Sequence, residues 1–503
     1  MKYVHKYEAT KGLEPEPFFY WFGEVSACPR PSGNEKALIE YIKAFAETRS
    51  LEYDVDEAGN VFVKVPGTAG YEDYPPFLIQ AHMDMVAVKD EGVDFDFDTK
   101  PINLQIDGDK LYAPGTTLGA DNGVGIAAML ALGDTLTEEP IPHPPLELLF
   151  TVDEESGMKG IKRFDCSKIT ARRMLNCDGG APHRVTVCCG GSIQSKIEKE
   201  FEIFAVEEDW TVLNVSLTGG QGGHSAVMLN RGRACAANNM GELLTALMAD
   251  DIEFRISSLK TSKPAIIKGC DAVIAVPAVS AETAVLSMNE RFALIKGVYK
   301  NSDPDLELSI SEAGCTAECT AISAADSEKV VQCLLYLETA MYRSHYEFTQ
   351  FQVSGGSIGE VSLTHGKFNA DFVVLSSINE DLRLKFKKYE LKMKMLGFDL
   401  TEYDSWSGWA EDTVSPLRDA LLEAHKELFG YEMIIGRGIG GIEVGEIKTA
   451  IPEMDAVAFA PFSQDAHTTG ECLSVSQVQP FWDLLKKLII INFLRNNINA
   501  NTI

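Results

Sequence analysis

The sequence predicts an α/β protein: a mostly parallel sheet flanked by helices, interrupted by a large α+β insert. Three features predict it. Short apolar runs recur in residues 1–190 and again after 400, and four of them are followed by His, Asp or Glu. Apolar residues at helical spacing lie between and around the runs. The stretch from 191 to 399 has a different, mixed pattern. Strands that are nearly uninterrupted in their apolar character are buried on both faces, as in a parallel sheet covered by helices.

In chain order, Asn34 is a candidate N-cap for a helix carrying Leu38, Ile42 and Phe45. Val61, Val63 and Val65 alternate as in a half-buried strand. Phe77-Leu78-Ile79 forms a continuous run that ends in Gln80-Ala81-His82-Met83-Asp84. A second run, Leu146 to Val152, is broken only by Glu147 and Thr151 and ends in Asp153-Glu154-Glu155. A third, Met174-Leu175-Asn176-Cys177, ends in Asp178, and Ala456 to Ala460 leads toward Asp465-Ala466-His467. Open α/β sheets bind ligands beyond the carboxyl ends of their strands, so these four ends can meet at one rim.

In the insert, strand-like pieces (Val212 to Leu217, Phe372 to Leu375) alternate with helices at Ala234 to Met248 and Ser327 to Tyr342. It has no comparable strand-then-carboxylate cluster. The α/β pattern returns with a helix around Leu417, Leu421 and Leu428 and closes with Phe481, Leu484, Leu488 and Phe493. The reading is one discontinuous domain, 1–190 and 400–503, around an insert at 191–399. The acidic loop Asp90 to Asp98 reads as a solvated turn.

Composition sets the outer limits. At roughly 100–200 residues per domain, 503 residues make two to four domains. With 45% hydrophobic and 24% charged residues, disorder over most of the length is excluded. The net charge of −29 repels phosphate backbones, so no nucleic-acid partner is expected. No run of about 18 apolar residues is present, so no membrane span or membrane partner is expected. The start, Met1 to Tyr7, lacks the apolar core of a signal peptide. The 11 scattered cysteines read as reduced thiols in a cytoplasmic protein.

His82, Asp84, Asp121, Glu154-Glu155, Asp178 and His467 carry the candidate chemistry. Imidazoles and carboxylates suit zinc and similar divalent ions. A two-metal site needs a bridging carboxylate with further ligands on each side. Asp121 can bridge, His82 and Asp178 can complete one site, and Glu155 and His467 the other. Glu154 is then left to take a proton from water, and Asp84 can accept the second N–H of His82. Taken singly, each has a plainer reading: a hydrogen-bonded His after a strand, an Asp at a helix start, a Glu pair on a solvated face. Order and context favour the joint reading.

Four segments carry a family resemblance: Ile79-Gln80-Ala81-His82-Met83-Asp84-Met85-Val86, Thr117-Leu118-Gly119-Ala120-Asp121-Asn122-Gly123-Val124-Gly125, Phe150 to Met158, and Leu175-Asn176-Cys177-Asp178. They resemble the co-catalytic zinc peptidase group that includes glutamate carboxypeptidases, tripeptidases and aminoacyl-histidine dipeptidases. The T-L-G-A-D-N-G segment and the large insert resemble the aminoacyl-histidine branch. The resemblance implies two divalent ions, zinc with manganese or cobalt as alternatives, held by His82, Asp121, Glu155, Asp178 and His467. It implies Glu154 as general base and Asp84 as the residue orienting His82. It also implies that the insert is a lid, that His224 in Gly222-Gly223-His224-Ser225 stabilises the oxyanion, and that a homodimer forms through the insert. The residues alone read Gly219 to Gly223 as a flexible turn.

The chain departs from that pattern where substrate contacts are expected. Asp271 to Pro277 stands for an Asn-Ala-Ile-Pro stretch, Ser362-Leu363-Thr364-His365-Gly366 for Ser-Leu-Asn-Leu-Gly, and Ile439 to Gly445 for His-Ala-Gly-Leu-Glu-Cys-Gly. Thr364 and Glu443 are the candidate substrate contacts. The glycines of Gly436 to Gly441 have no strand–helix frame for a nucleotide loop, and Cys315 and Cys319 have no second pair for a metal. The expected activity is metal-dependent hydrolysis of short peptides, foremost Xaa-His dipeptides. A tripeptidase or amide deacylase on the same scaffold is the alternative, followed by a non-catalytic binding protein.

Overall fold

The computed structural model describes residues 3–137, 140–226, 228–262, 266–313 and 319–494, with side chains through 490. Cys315 and the side chain of Phe493 lie outside the described residues. The chain splits into two compact units. One comprises Met1–Cys189, Trp409–Arg437 and Ile442–Ile503, the other Gly190–Gly408 and Gly438–Gly441.

The first unit is built on an eight-stranded sheet. In spatial order its strands are Glu52–Val55, Val61–Val65, Leu146–Thr151, Phe77–His82, Arg173–Asn176, Asp455–Ala458, Arg184–Thr186 and Ile434–Gly436. Four strands at its centre, Leu146–Thr151 through Asp455–Ala458, run parallel. The flanking Val61–Val65 is antiparallel to its neighbours on both sides. Every residue of Phe77–His82 and Leu146–Thr151 is buried, as their apolar runs require. Their register sets His82 opposite Thr151, so the strands finish level with one another. Ala458 likewise ends beside Asn176.

Helix Ala120–Leu132 lies against this sheet, and all its residues but Asp121 are buried. Gly125 makes the close approach possible: a Cβ there would stand 2.7 Å from the Cβ atoms of Ala81 and Cys177. Helices Lys36–Thr48, Pro416–Phe429 and Val478–Leu494 add further apolar faces to the same core.

Three local expectations need correction. Val61–Val65 is buried on both faces, because Phe62 packs on Phe164 with ring centroids 5.8 Å apart. The helix cap is Glu35, not Asn34, whose side chain donates to Asp98 at 2.8 Å. The helix expected over Ser327 to Tyr342 ends at Tyr336, and Ala340–Ser344 is a strand. Asn238 accounts for the break, donating to the carbonyls of Leu334 and Leu337 and accepting the N–H of Thr339. These tertiary bonds outcompete the helical ladder.

The second unit contains a nine-stranded antiparallel sheet with helices Ala236–Ala249, Ala281–Tyr299, Ala324–Tyr336 and Asn379–Leu396. Its strand Asp399–Trp406 pairs with Gly191–Glu200, so the unit runs on to Gly408 rather than ending at 399. Among the described residues, no helix is long and apolar enough to cross a membrane.

Gly125→Ala forces a methyl between helix and sheet. It should destabilise the first unit by about 1–3 kcal/mol, read as an earlier transition in urea unfolding. An unchanged midpoint would show that the helix can lift off the sheet freely.

Candidate metal centre

The carboxyl ends of the central strands meet the start of helix Ala120–Leu132. His82 closes the strand Phe77–His82, and its Nε2 lies 3.1 Å from Asp121 Oδ1 and 3.9 Å from Asp178 Oδ2. His467 Nε2 lies 3.3 Å from the other Asp121 oxygen and 2.8 Å from Glu155 Oε1. Asp121 therefore faces two groups of donors, His82 with Asp178 and Glu155 with His467. In each group the candidate ligand atoms lie within 4.8 Å of one another, and His82, Glu154 and Glu155 form a third such group. Six of the residues singled out in the sequence thus converge within one compact unit.

Asp84 stands behind His82, its Oδ1 3.4 Å from Nδ1. Its carboxylate also accepts the backbone N–H groups of Glu154 and Glu155 at 2.9 and 3.2 Å and the Ser32 hydroxyl at 2.8 Å. One buried side chain thereby ties the strand end carrying His82 to the loop carrying the Glu pair. Asp153 (φ 53°) and His467 (φ 66°) adopt left-handed backbone, uncommon away from glycine, at the two loops that deliver Glu154 and the distal imidazole.

The electrostatics record the crowding. Burial and then the charge of Asp121 push Asp178 up to about 8. Burial also pushes Glu154 well above the carboxylate range, with Asp178, Glu443 and Glu155 adding to it against the pull of His82. Burial opposes ionisation of Asp121 too, but hydrogen bonds to His467 and His82 hold its pKa low. His467 is raised to about 10 by hydrogen bonds to Asp121 and Glu155. Two carboxyls thus favour their protonated forms, and both imidazoles do too, since hydrogen bonds to Asp121 and Asp84 also raise His82 against the effect of its burial; a dense set of acids lowers its charge in this way without a cation. Imidazole nitrogens and carboxylate oxygens so disposed, with one carboxylate shared, fit a pair of divalent ions.

The residues alone did not reveal what holds this cluster. Arg30, 2% exposed, donates to the carbonyls of Met83 and Asp84 at 2.9 and 3.1 Å and to that of Gly119. Glu471, also 2% exposed, accepts the N–H groups of Leu118, Gly119 and Asp121 at 2.8, 2.9 and 3.2 Å. The spacing His467-x-x-x-Glu471 was the available signal, whereas a lone Arg between two prolines offers none. Beneath the strand ends, Asn176, Gln80, Thr151 and Glu443 form a buried polar ladder. Glu443 is 1% exposed; its Oε2 accepts from Gln80 and Thr151, while its buried Oε1 has no hydrogen-bond partner among the described residues.

His224 and Thr364 belong to the second unit. Thr364 is exposed at the end of strand Gln352–Thr364. His224 accepts the Ala226 N–H on Nδ1 at 3.0 Å, which leaves the proton on Nε2. Its loop is pinned, because Asp303 accepts the N–H groups of Gln221 and Ala234, both at 2.8 Å, and Arg233 donates to the Gly222 carbonyl. The flexible turn expected at Gly219 to Gly223 is thus a braced one.

A cluster of acids and imidazoles at the strand ends of an α/β sheet has the donor set of a divalent-metal centre, and the comparisons with known proteins give the class. The model of peptidase family M20/M25/M40 matches residues 78–490, and the chain belongs to this family of metallopeptidases. It is 27% identical over 482 residues to the cytosol non-specific dipeptidase of Escherichia coli (strain K12), covering 95% of this chain and 98% of that protein. The crystal structure of an aminoacylhistidine dipeptidase from Vibrio alginolyticus superposes with a TM-score of 0.87 at 27% identity, over 95% and 97% of the two chains. An aminopeptidase PepT from Bacillus cereus shares the fold, with a TM-score of 0.53 at 17% identity over 95% and 99%.

Asp178 supplies a pH test. Its folded-state pKa lies above the ordinary 3.8. The metal-free fold therefore holds an extra proton and loses stability as pH rises from about 4 toward 8. In chelator-treated protein, Asp178→Asn should melt higher than wild type at pH 8 and converge with it near pH 4. A wild-type advantage at pH 8 would contradict the crowding described here.

Proposed function

We propose that the chain is a dipeptidase in which Asp121 would be shared by two divalent ions, zinc foremost. His82 and Asp178 would complete one site and Glu155 and His467 the other. The observation that carries this reading is Asp121 itself, with one oxygen 3.1 Å from His82 and the other 3.3 Å from His467. The names of two relatives, a non-specific dipeptidase and an aminoacylhistidine dipeptidase, support dipeptides as substrates and Xaa-His among them.

When bound, such ions polarise the scissile carbonyl and bring the pKa of water near neutrality. The chain's own residues do the rest. Glu154 needs no place among the ligands; with cations offsetting the crowding that raises its pKa, its carboxylate would take a proton from the attacking water and release it to the leaving amine. Asp84 accepts from Nδ1 of His82 and so presents Nε2 as a ligand. His224 carries its proton on Nε2, the tautomer that donates to a developing oxyanion. Ten described cysteines are free thiols, which supports a cytoplasmic setting.

Glu154→Gln should cut kcat by roughly 100- to 10,000-fold while metal content, measured by elemental analysis, stays at the wild-type level. Unchanged turnover would remove Glu154 from the mechanism. On a dipeptide panel assayed after reconstitution with Zn2+, Mn2+ or Co2+, dipeptides should be cleaved in preference to tripeptides and N-acyl amino acids, with Xaa-His members among the good substrates. Faster tripeptide or N-acyl cleavage would transfer the chain to the alternative activity.

A further inference from the structure

Two buried, oppositely charged side chains grip the backbone leading into Asp121 and the segment after His82. Glu471 Oε2 accepts the N–H groups of Leu118 and Gly119 at 2.8 and 2.9 Å, and Oε1 accepts that of Asp121 at 3.2 Å. Arg30 donates to the Gly119 carbonyl from one nitrogen, and from another to the carbonyls of Met83 and Asp84 at 2.9 and 3.1 Å. Gly119 is therefore held from both sides, its N–H by the carboxylate and its carbonyl by the guanidinium.

The glycines of the Thr117 to Gly125 segment make room for this grip. A Cβ on Gly119 would stand 2.6 Å from the Arg30 guanidinium, and one on Gly123 would stand 2.7 Å from it. Gly119 also has φ +71°, which favours glycine. The contacts join four separate stretches of sequence: the turn at Arg30, the segment after His82, the loop before Asp121, and the loop of His467 and Glu471. Their backbone groups are bonded before any cation is considered.

We propose that Arg30 and Glu471 are paired positioning residues that set the Asp121 loop and the His82 strand end at the spacing two ions require, ahead of metal binding. The inference rests on the reading of Asp121 as the shared ligand. Neither residue touches substrate or the reacting atoms. Glu471→Gln keeps the size of the side chain but turns an amide N–H toward one of the three donors. Arg30→Lys keeps the charge but loses the two-pronged geometry that reaches both segments.

The test uses the full chain stripped of metal and titrated with Co2+, following stoichiometry, affinity and visible absorption. Wild type should take two ions. Both variants should bind the second roughly 10- to 100-fold more weakly, with an altered absorption band. Reloaded at saturating metal, they should show a lower kcat at near-constant KM. Folded variants that bind both ions with wild-type affinity and spectrum would overturn the proposal. So would a variant that lowers only the melting temperature.

Hydrogen exchange on metal-free wild type provides a test independent of any variant's folding. The amides of Leu118, Gly119 and Asp121 should already be protected. Rapid exchange that slows only when Co2+ is added would mean the ions set the loop, and the proposal would fall. Asp121→Asn separates the two levels. If it retains two ions, the shared-ligand reading fails. If it loses them while Glu471→Gln and Arg30→Lys bind normally, only the positioning role fails.

Discussion

Asp84, Asp121, Glu154, Glu155 and Asp178 gather around His82 in the first unit, where water screens their charges poorly. Like charges at such separations repel strongly in a medium less polar than water. The chain answers with raised pKa values at Glu154 and Asp178, with imidazoles at His82 and His467 that favour their charged forms, and with the buried guanidinium of Arg30. Each answer leaves the acids where cations can replace the protons. The sheet, the glycine-bearing helix start and the long return of the chain are ways of keeping that unfavourable grouping together.

The division of labour follows the rigidity of the parts. Strands buried on both faces supply His82 and, just past their ends, the Glu pair and Asp178. The ladder from Asn176 through Gln80 and Thr151 to Glu443 ties those strand ends together below the cluster. Supports that are themselves packed and bonded restrict the spacing of the candidate ligand atoms.

Much of this was legible in the sequence because it is written in local runs. Apolar strands ending in His or acid residues are visible without coordinates, and they located His82, the Glu pair, Asp178 and His467. Asp121 was legible through its glycine-rich neighbours. What escaped was support made by tertiary contact. Arg30 acts on carbonyls more than 50 residues away, and Glu471 on amides some 350 residues away, so neither leaves a pattern near its own position. The ends of elements escaped for the same reason. Asn238 stops the helix at Tyr336 from across the second unit, and Phe164 buries the face of Val61–Val65 that alternation assigned to solvent.

The order of the strands bears on how the molecule is made. Among the described strands, Arg184–Thr186 pairs only with Ile434–Gly436 and Asp455–Ala458, so in a nascent chain emerging from the ribosome the sheet ends at Arg173–Asn176. More than 250 residues must follow before the missing strand arrives. Until then, the open edge at Arg173–Asn176 is a template for pairing with other chains. The antiparallel unit, whose strands all lie within Gly191–Trp406, can be finished first. Synthesis thus leaves the first unit with an unpaired edge until Asp455–Ala458 has emerged, a window in which chaperone capture has an obvious target.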